Sequence, residues 1–252
     1  MANYIKRRLP AEAGSIAAAL QMAESEVRFY REVAPEIGVR VPECYRAELN
    51  DEGSLLELED LSAWRQGAEP GAAAALLRSM HDRWVDRAHV RWPWLRPIGA
   101  GDELVARLYD DIWPKLAARA DLSSPVREFG ERLVGKVLQV EARLLEAGPL
   151  TLVHGDASAP NLRTAPNGEI ALLDWEDVSA APGVIDLTWH LVSSVPPEQW
   201  AEALAAYGPS EGLLTALPSS MVQGYLSMAD WPEGSEEAAG FDARLAAGVA
   251  ML

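Results

Sequence analysis

The feature that most limits how this chain can fold is a short β-rich run, Leu150 to Trp175, set inside sequence that otherwise reads as helix from about residue 71 to the end. Helical stretches are expected over 71–87, 101–120 and 124–147, with several more after residue 183. Ahead of them lies a mixed layer. Residues 4–9, YIKRRL, read as a strand ended by Pro10, and 11–33 read as a helix on the recurrence of Ile16, Leu20, Ala23, Val27 and Tyr30. Residues 44–49 and 54–59 read as two strands joined by the turn Asn50-Asp51-Glu52-Gly53. The expected class is therefore α+β. A small first part covers 1–61, and a mainly helical second part covers 62–252 with a β insert at 150–175.

Composition removes several classes of function. With 22 basic against 38 acidic side chains the net charge is −16, which repels nucleic-acid phosphates and mildly favours a cationic small molecule. The single cysteine, Cys44, cannot form an internal disulfide, and no Cys/His cluster has zinc-ligand spacing; a reducing, cytoplasmic setting is expected. MANYIKRRLP is basic like the start of a secretion signal, but acids follow it and no sustained apolar stretch does, so secretion is not expected. The run Ala72 to Leu77 is too short to span a bilayer. The number of subunits is not legible.

The chemistry is concentrated in LTLVHGDASAPNLRTAPNGEIALLDWEDVSAAPGVIDL, residues 150–187. The apolar strand Leu150 to Val153 ends at His154-Gly155-Asp156, where a glycine permits a sharp turn that presents polar side chains beyond the strand end. Asn161 to Thr164 and Glu169 to Asp174 flank the turn Ala165-Pro166-Asn167-Gly168 and read as a hairpin. If Thr164 pairs with Glu169, Asn161 falls opposite Leu172 and its amide can converge with the Asp174 carboxylate. Two oxygen ligands on adjacent strands, with a loop carboxylate five residues before the asparagine, suit Mg²⁺, a hard cation that leaves room for phosphate oxygens. Asp156 would then orient an attacking hydroxyl or accept its proton. Taken singly, each residue has an ordinary reading: His154 as a core histidine, Asn161 as a turn former, Asp174 as a helix cap.

HGDxxxxN at 154–161, followed by DWED at 174–177 and then Asp186-Leu187, resembles the aminoglycoside phosphotransferase and choline kinase family. The resemblance implies a protein-kinase-like fold with two lobes, the first truncated, and an ATP- and Mg²⁺-dependent transfer of the γ-phosphate to a small-molecule hydroxyl. It implies Asp156 as the catalytic base with His154 orienting its loop, Asn161 and Asp174 as metal ligands, and Asp186 as the buried acid bonded to that loop's backbone. Glu176, or Asp177, would lie behind the metal ligands.

Upstream pieces extend the resemblance over nearly the whole chain. Lys6 in YIKRRL falls where the family's lysine contacts the α and β phosphates. Glu26 in EVRFY falls where a helix acid pairs with that lysine, with Glu24 as the rival. Leu55 to Leu61 resembles the strand and hinge that receive adenine through backbone groups near Glu59, Asp60 and Leu61. Only five residues precede Lys6, however, and no Gly-rich loop stands among them, where the family has a hairpin carrying the phosphate-covering loop. That difference supports a second reading, a nucleotide-binding pseudokinase with a regulatory or partner-binding role. A third, a metal-dependent hydrolase using His154, Asp156 and Asp174 as ligands, is weakened by the remaining histidines, His81, His89 and His190, whose spacing recruits none of them. Which acceptor is phosphorylated is not legible.

Overall fold

The computed structural model describes residues 3–252. The chain opens with β1 (Asn3–Arg8), in which Tyr4 and Ile5 are exposed while Lys6 and Arg8 are half-buried. The expected helix 11–33 is interrupted. It forms α1 (Ile16–Ala19), breaks at Gln21 in left-handed conformation, resumes as α2 (Met22–Arg28) and ends in one π-helical turn, Phe29–Val33. The break is held from outside the segment, since the Arg96 guanidinium donates to the Leu20 carbonyl at 3.1 Å. A tertiary partner thus overrides a helical pattern that the sequence supports.

β2 (Cys44–Asn50) and β3 (Gly53–Glu59) form the expected hairpin, and β3 pairs antiparallel with β1 on its other side, giving the order β1-β3-β2. Leu56 and Leu58 of β3 are buried, as are Val27, Phe29, Tyr30 and Val33. This packing sets α2 against the sheet with Glu26 turned toward Lys6.

The helical part follows: β4 (Arg65–Gln66), α3 (Pro70–Trp84), α4 (Ala88–Arg91), β5 (Arg96–Pro97), α5 (Asp102–Ala117), α6 (Ser124–Leu133) and α7 (Val137–Ala142). The single helix expected over 124–147 is three pieces, the last a 3₁₀ turn at Leu144–Ala147. Gly135 lies at the first gap, and Asp110 Oδ1 accepts its N–H at 3.0 Å. An amide that would have continued the helix is satisfied by a neighbouring helix instead.

The β insert also divides. β6 (Leu150–Val153) does not join β7 (Leu162–Thr164) or β8 (Ile170–Leu172); it pairs with β9 (Ser179–Pro182), which β5 flanks in parallel, while β4 flanks β7. The β7–β8 register differs by one from the sequence expectation: Thr164 pairs with Ile170 and Leu162 with Leu172. Ala165 N donates to Glu169 O at 2.8 Å, so the loop is Pro166-Asn167-Gly168, with Gly168 left-handed at φ 88°. Three-residue loops take this form, a tight turn followed by a left-handed residue. Leu173 N, not Leu172, therefore meets the Asn161 carbonyl.

The chain closes with α8 (Val184–Ser194), α9 (Trp200–Tyr207), α10 (Leu213–Ala229) and α11 (Glu236–Met251). α10 runs against α8, α11, α5 and α7 and carries Met221, Val222 and Tyr225 into the core, where Tyr225 meets Tyr109 and Trp113 edge-on. None of the described helices is long and apolar enough to cross a membrane.

One core acid makes the stability of this packing pH-dependent. Glu141 of α7 is buried, its carboxylate accepts from the Ser219 hydroxyl of α10, at 2.9 Å, and from no other donor among the described residues, and burial pushes its pKa up to about 7. The native state holds this proton more tightly than the unfolded chain does. Stability from this group is therefore full below the ordinary carboxyl value near 4.5 and is lost as pH rises through about 7. The loss amounts to roughly 3 kcal/mol. Glu141→Gln should unfold later in urea than the wild type at pH 8, with little difference at pH 4.5; equal midpoints at pH 8 would contradict the assignment.

Candidate active site

The site begins where β6 runs out. His154 and Gly155 turn the chain sharply, with Gly155 at φ 87°. A Cβ there would lie 2.4 Å from the Asp177 carbonyl, so no other residue fits this approach. The turn is tied down from α8, where Asp186 accepts the His154 N–H at 2.8 Å and the Gly155 N–H at 2.9 Å. His81 of α3 completes that knot, its Nε2 lying 3.1 Å from Asp186 and its Nδ1 2.9 Å from the Tyr207 hydroxyl. Burial pushes the Asp186 carboxyl up, but the hydrogen bond and charge of His81, with His154 beside it, outweigh burial and hold it below its ordinary value.

His154 is fully buried and spends both ring nitrogens on the backbone. Nε2 donates to the Leu173 carbonyl at 2.8 Å, and Nδ1 accepts the Asp156 N–H at 3.2 Å. This side chain joins the Asp156 turn to the strand that leads to Asp174. Asp156 itself is held by two donors: Trp189 Nε1 at 2.6 Å on Oδ1 and Asn161 Nδ2 at 2.7 Å on Oδ2. Asn161 Nδ2 also reaches the Asp156 carbonyl at 3.0 Å, so the amide nitrogen is committed and Oδ1 is the atom free to meet a ligand.

Asp174 lies across the cleft, at φ 62°, a left-handed conformation uncommon outside glycine. Its Oδ1 receives Lys6 Nζ at 2.6 Å, and the same ammonium lies 2.8 Å from Glu26 and 3.7 Å from Glu176. Arg8, two residues along β1 and on the same face as Lys6, pairs with Glu176 and lies 3.7 Å from Asp174. Glu26 is buried; desolvation raises its pKa against the pull of Lys6. Oxygens of Glu26, Asp174 and Glu176 all lie within 4.8 Å of one another around the Lys6 ammonium, while Asp174 and the free Asn161 Oδ1, which line the same cleft, are hard oxygen donors of the kind Mg²⁺ takes.

The structure thus joins Asp156 to Asn161 directly, and joins Asp174 to Lys6 and Glu26. Asn161 and Asp174 line one cleft of about 230 Å³, with Lys6, Glu26, Tyr30 and the segment Leu58–Ser62. Glu59 and Asp60 turn their carboxylates to local backbone and to Arg40: Glu59 takes Arg40 at 2.6 Å and the Glu43 N–H at 3.1 Å, and Asp60 takes the Ser62 N–H at 2.8 Å. Their side chains thus shape this edge of the cleft, where Leu61 is buried. Asp177 lies behind the loop, paired with Arg96 at 3.2 Å; burial raises its pKa against that arginine.

Four functional neighbours escaped sequence reasoning. Arg8 carries a usable signal, since strand alternation puts it on the Lys6 face. So does Trp189, three residues beyond Asp186 on a helix. His81 and Arg96 carry none, because they reach Asp186 and Asp177 from far along the chain.

With this geometry established, the sequence model of the phosphotransferase enzyme family matches residues 8–230. The chain belongs to the phosphotransferase enzyme family. No curated protein matches its sequence. Among solved structures, this family member resembles choline kinase LicA from Streptococcus pneumoniae at 15% identity and TM-score 0.58, over 99% of this chain and 86% of that one. Spectinomycin phosphotransferase APH(9)-Ia, solved with ADP and spectinomycin, resembles it at 12% identity and TM-score 0.57, over 99% and 86%. Macrolide 2'-phosphotransferase MphH from Brachybacterium faecium does so at 19% identity and TM-score 0.51, over 96% and 83%. The shared fold is α+β and protein-kinase-like.

Proposed function

We propose that this phosphotransferase moves the γ-phosphate of ATP, with Mg²⁺, to a hydroxyl of a small molecule. The observation that carries the reading is the Asp156 carboxylate, gripped by Asn161 and Trp189 beside a cleft whose other wall holds the Lys6–Glu26–Asp174 group. The adenine would lie along Glu59 to Leu61, and the phosphates would run toward Lys6, which Glu26 holds in place against desolvation. Asn161 Oδ1 and Asp174 would hold the metal, with Glu176 and Arg8 behind them. Bound Mg²⁺ would neutralise charge developing on the β- and γ-phosphate oxygens.

Asp156 would orient the acceptor hydroxyl and take its proton as the new O–P bond forms. The bond from the γ-phosphorus to the bridging oxygen then breaks and ADP departs with the electron pair. Nucleotide complexes of the spectinomycin enzyme, with ADP and with AMP, support placing the nucleotide in this cleft.

Thermal unfolding with Mg-ATP tests the binding half. Saturating Mg-ATP should raise the wild-type Tm by on the order of 5 °C, the size expected for ligand at about 100 times its Kd. Asp174→Asn, which removes the charge while tolerating the left-handed backbone, should lose most of that rise. Equal shifts in wild type and Asp174→Asn would reject the metal assignment. Stabilisation by Mg-ATP without ADP release on any acceptor would favour the pseudokinase reading.

A further inference from the structure

Asp156 also lines a second, open groove, of about 780 Å³, bounded by α8, α10 and α11 and walled in part by Trp189, Ser227, Trp231, Phe241 and Arg244. Arg244 is the unusual member. Its Nε donates to the Val192 carbonyl near the end of α8 at 2.7 Å, and its guanidinium lies 4.6 Å from the centre of the Phe241 ring. It also folds over Gly240, where a Cβ would come within 3.0 Å of Nη1. These contacts fix the group but occupy only Nε. The two Nη groups, with four N–H donors, find no acceptor among the described residues, and no carboxylate pairs with them.

The stem of Arg244 is half-buried while its Nη edge stays open to water, so a ligand carboxylate can replace water there without breaking an existing ion pair. Here burial alone pulls the Arg244 pKa down, with no acidic neighbour opposing it. The acids in the same groove do not supply the partner. Glu236 and Glu237 are exposed in the first turn of α11, where the helix dipole already favours them, and Asp156 is held by Asn161 and Trp189.

We propose that Arg244 receives a carboxylate of the phosphate acceptor, making the acceptor a hydroxy acid instead of the purely cationic compound that the net charge of −16 suggests. The inference rests on Asp156 being the residue that faces the acceptor hydroxyl. A carboxylate suits the free Nη edge, which presents two parallel N–H donors to two oxygens. With Asp156, Glu236 and Glu237 on the same wall the lining carries more negative than positive charge, so a monoanion is repelled less than a phosphate dianion. An amine on the same acceptor would find Glu236 and Glu237 on the groove wall.

The test uses pairs of compounds with and without the carboxylate: L-serine and ethanolamine, L-homoserine and 3-aminopropan-1-ol, glycerate and glycerol, glucuronate and glucose. ADP release is measured for each above the acceptor-free rate, on wild type, Arg244→Gln and Arg244→Lys. In at least one pair the acid should be preferred in kcat/KM by about 10- to 100-fold, the range for a hydrogen-bonded charge pair. Arg244→Gln should collapse that ratio to near one through KM, and Arg244→Lys, which keeps the charge without the planar edge, should fall between. Preference for the uncharged or cationic member, a ratio unmoved by Arg244→Gln, or no turnover of any acid overturns the proposal. In each case an intact Mg-ATP thermal shift, with ADP release on another hydroxyl compound, leaves the kinase reading standing; loss of the Mg-ATP shift in the wild type defeats the kinase reading itself.

Discussion

Asp156→Asn should lower kcat by about 10²- to 10⁴-fold, the contribution of a positioned proton acceptor, while Mg-ATP still raises the Tm. Both carboxylate oxygens of Asp156 accept from N–H donors, Trp189 on one side and Asn161 on the other. An amide offers one acceptor and one donor, so whichever way the substituted side chain is turned, one neighbour meets a donor instead of an oxygen. The variant should therefore also lose about 1–3 kcal/mol of local stability, the cost of leaving one such group unpaired. Trp189→Phe separates the two effects. It removes the bond to Oδ1 and keeps the carboxylate, so its kcat should fall about 10-fold at most. Steady-state ADP release with any productive acceptor measures both, and a wild-type rate for Asp156→Asn would remove Asp156 from the chemistry.

Asp186→Ala is the substitution with the largest expected effect on folding. The carboxylate is wholly buried and takes two backbone N–H groups of the catalytic turn and the ring of His81. Alanine leaves all three without an acceptor in a site closed to water. The expected cost is about 3–5 kcal/mol, as for removing one partner of a buried charged network. Asp186→Asn, which can still accept one of these bonds, should cost less. Because the folded pKa of Asp186 lies below its ordinary value, its stabilisation is present above that ordinary value and is lost as pH falls through the folded one. The gap between wild type and Asp186→Ala in urea unfolding should thus narrow in acid. A gap below about 1 kcal/mol at pH 7 would contradict the role of the knot.

How much of this could be read from residues alone follows the distances over which each feature is encoded. The strand ending at His154, the turn at Gly155 and the α+β class are local patterns, and they appear where the periodicities put them. The helix expected over 11–33 failed because its break at Gln21 is fixed by Arg96, and nothing near Gln21 announces that arginine. The β7–β8 register slipped by one because a four-residue turn signal also fits a three-residue loop ending at Gly168. Asn161 and Asp174 reach the same cleft, but Lys6 draws Asp174 toward Glu26, a competition among charges that spacing does not encode. Arg244 was invisible for the opposite reason. Its guanidinium has no carboxylate partner among the described residues, and an unpaired cation leaves no spacing to read.

The ring of Phe29, at the start of the π-helical turn, lies flat on Trp175, with centroids 4.1 Å apart and planes within 6°. Glu26 stands one turn before that ring and Asp174 is the residue next to the indole, so the stack ties helix to loop beneath the Lys6 bridge between the two acids. Isolated from the other eight tryptophans by difference against Trp175→Phe, the emission of this indole should change when the neighbouring cleft fills.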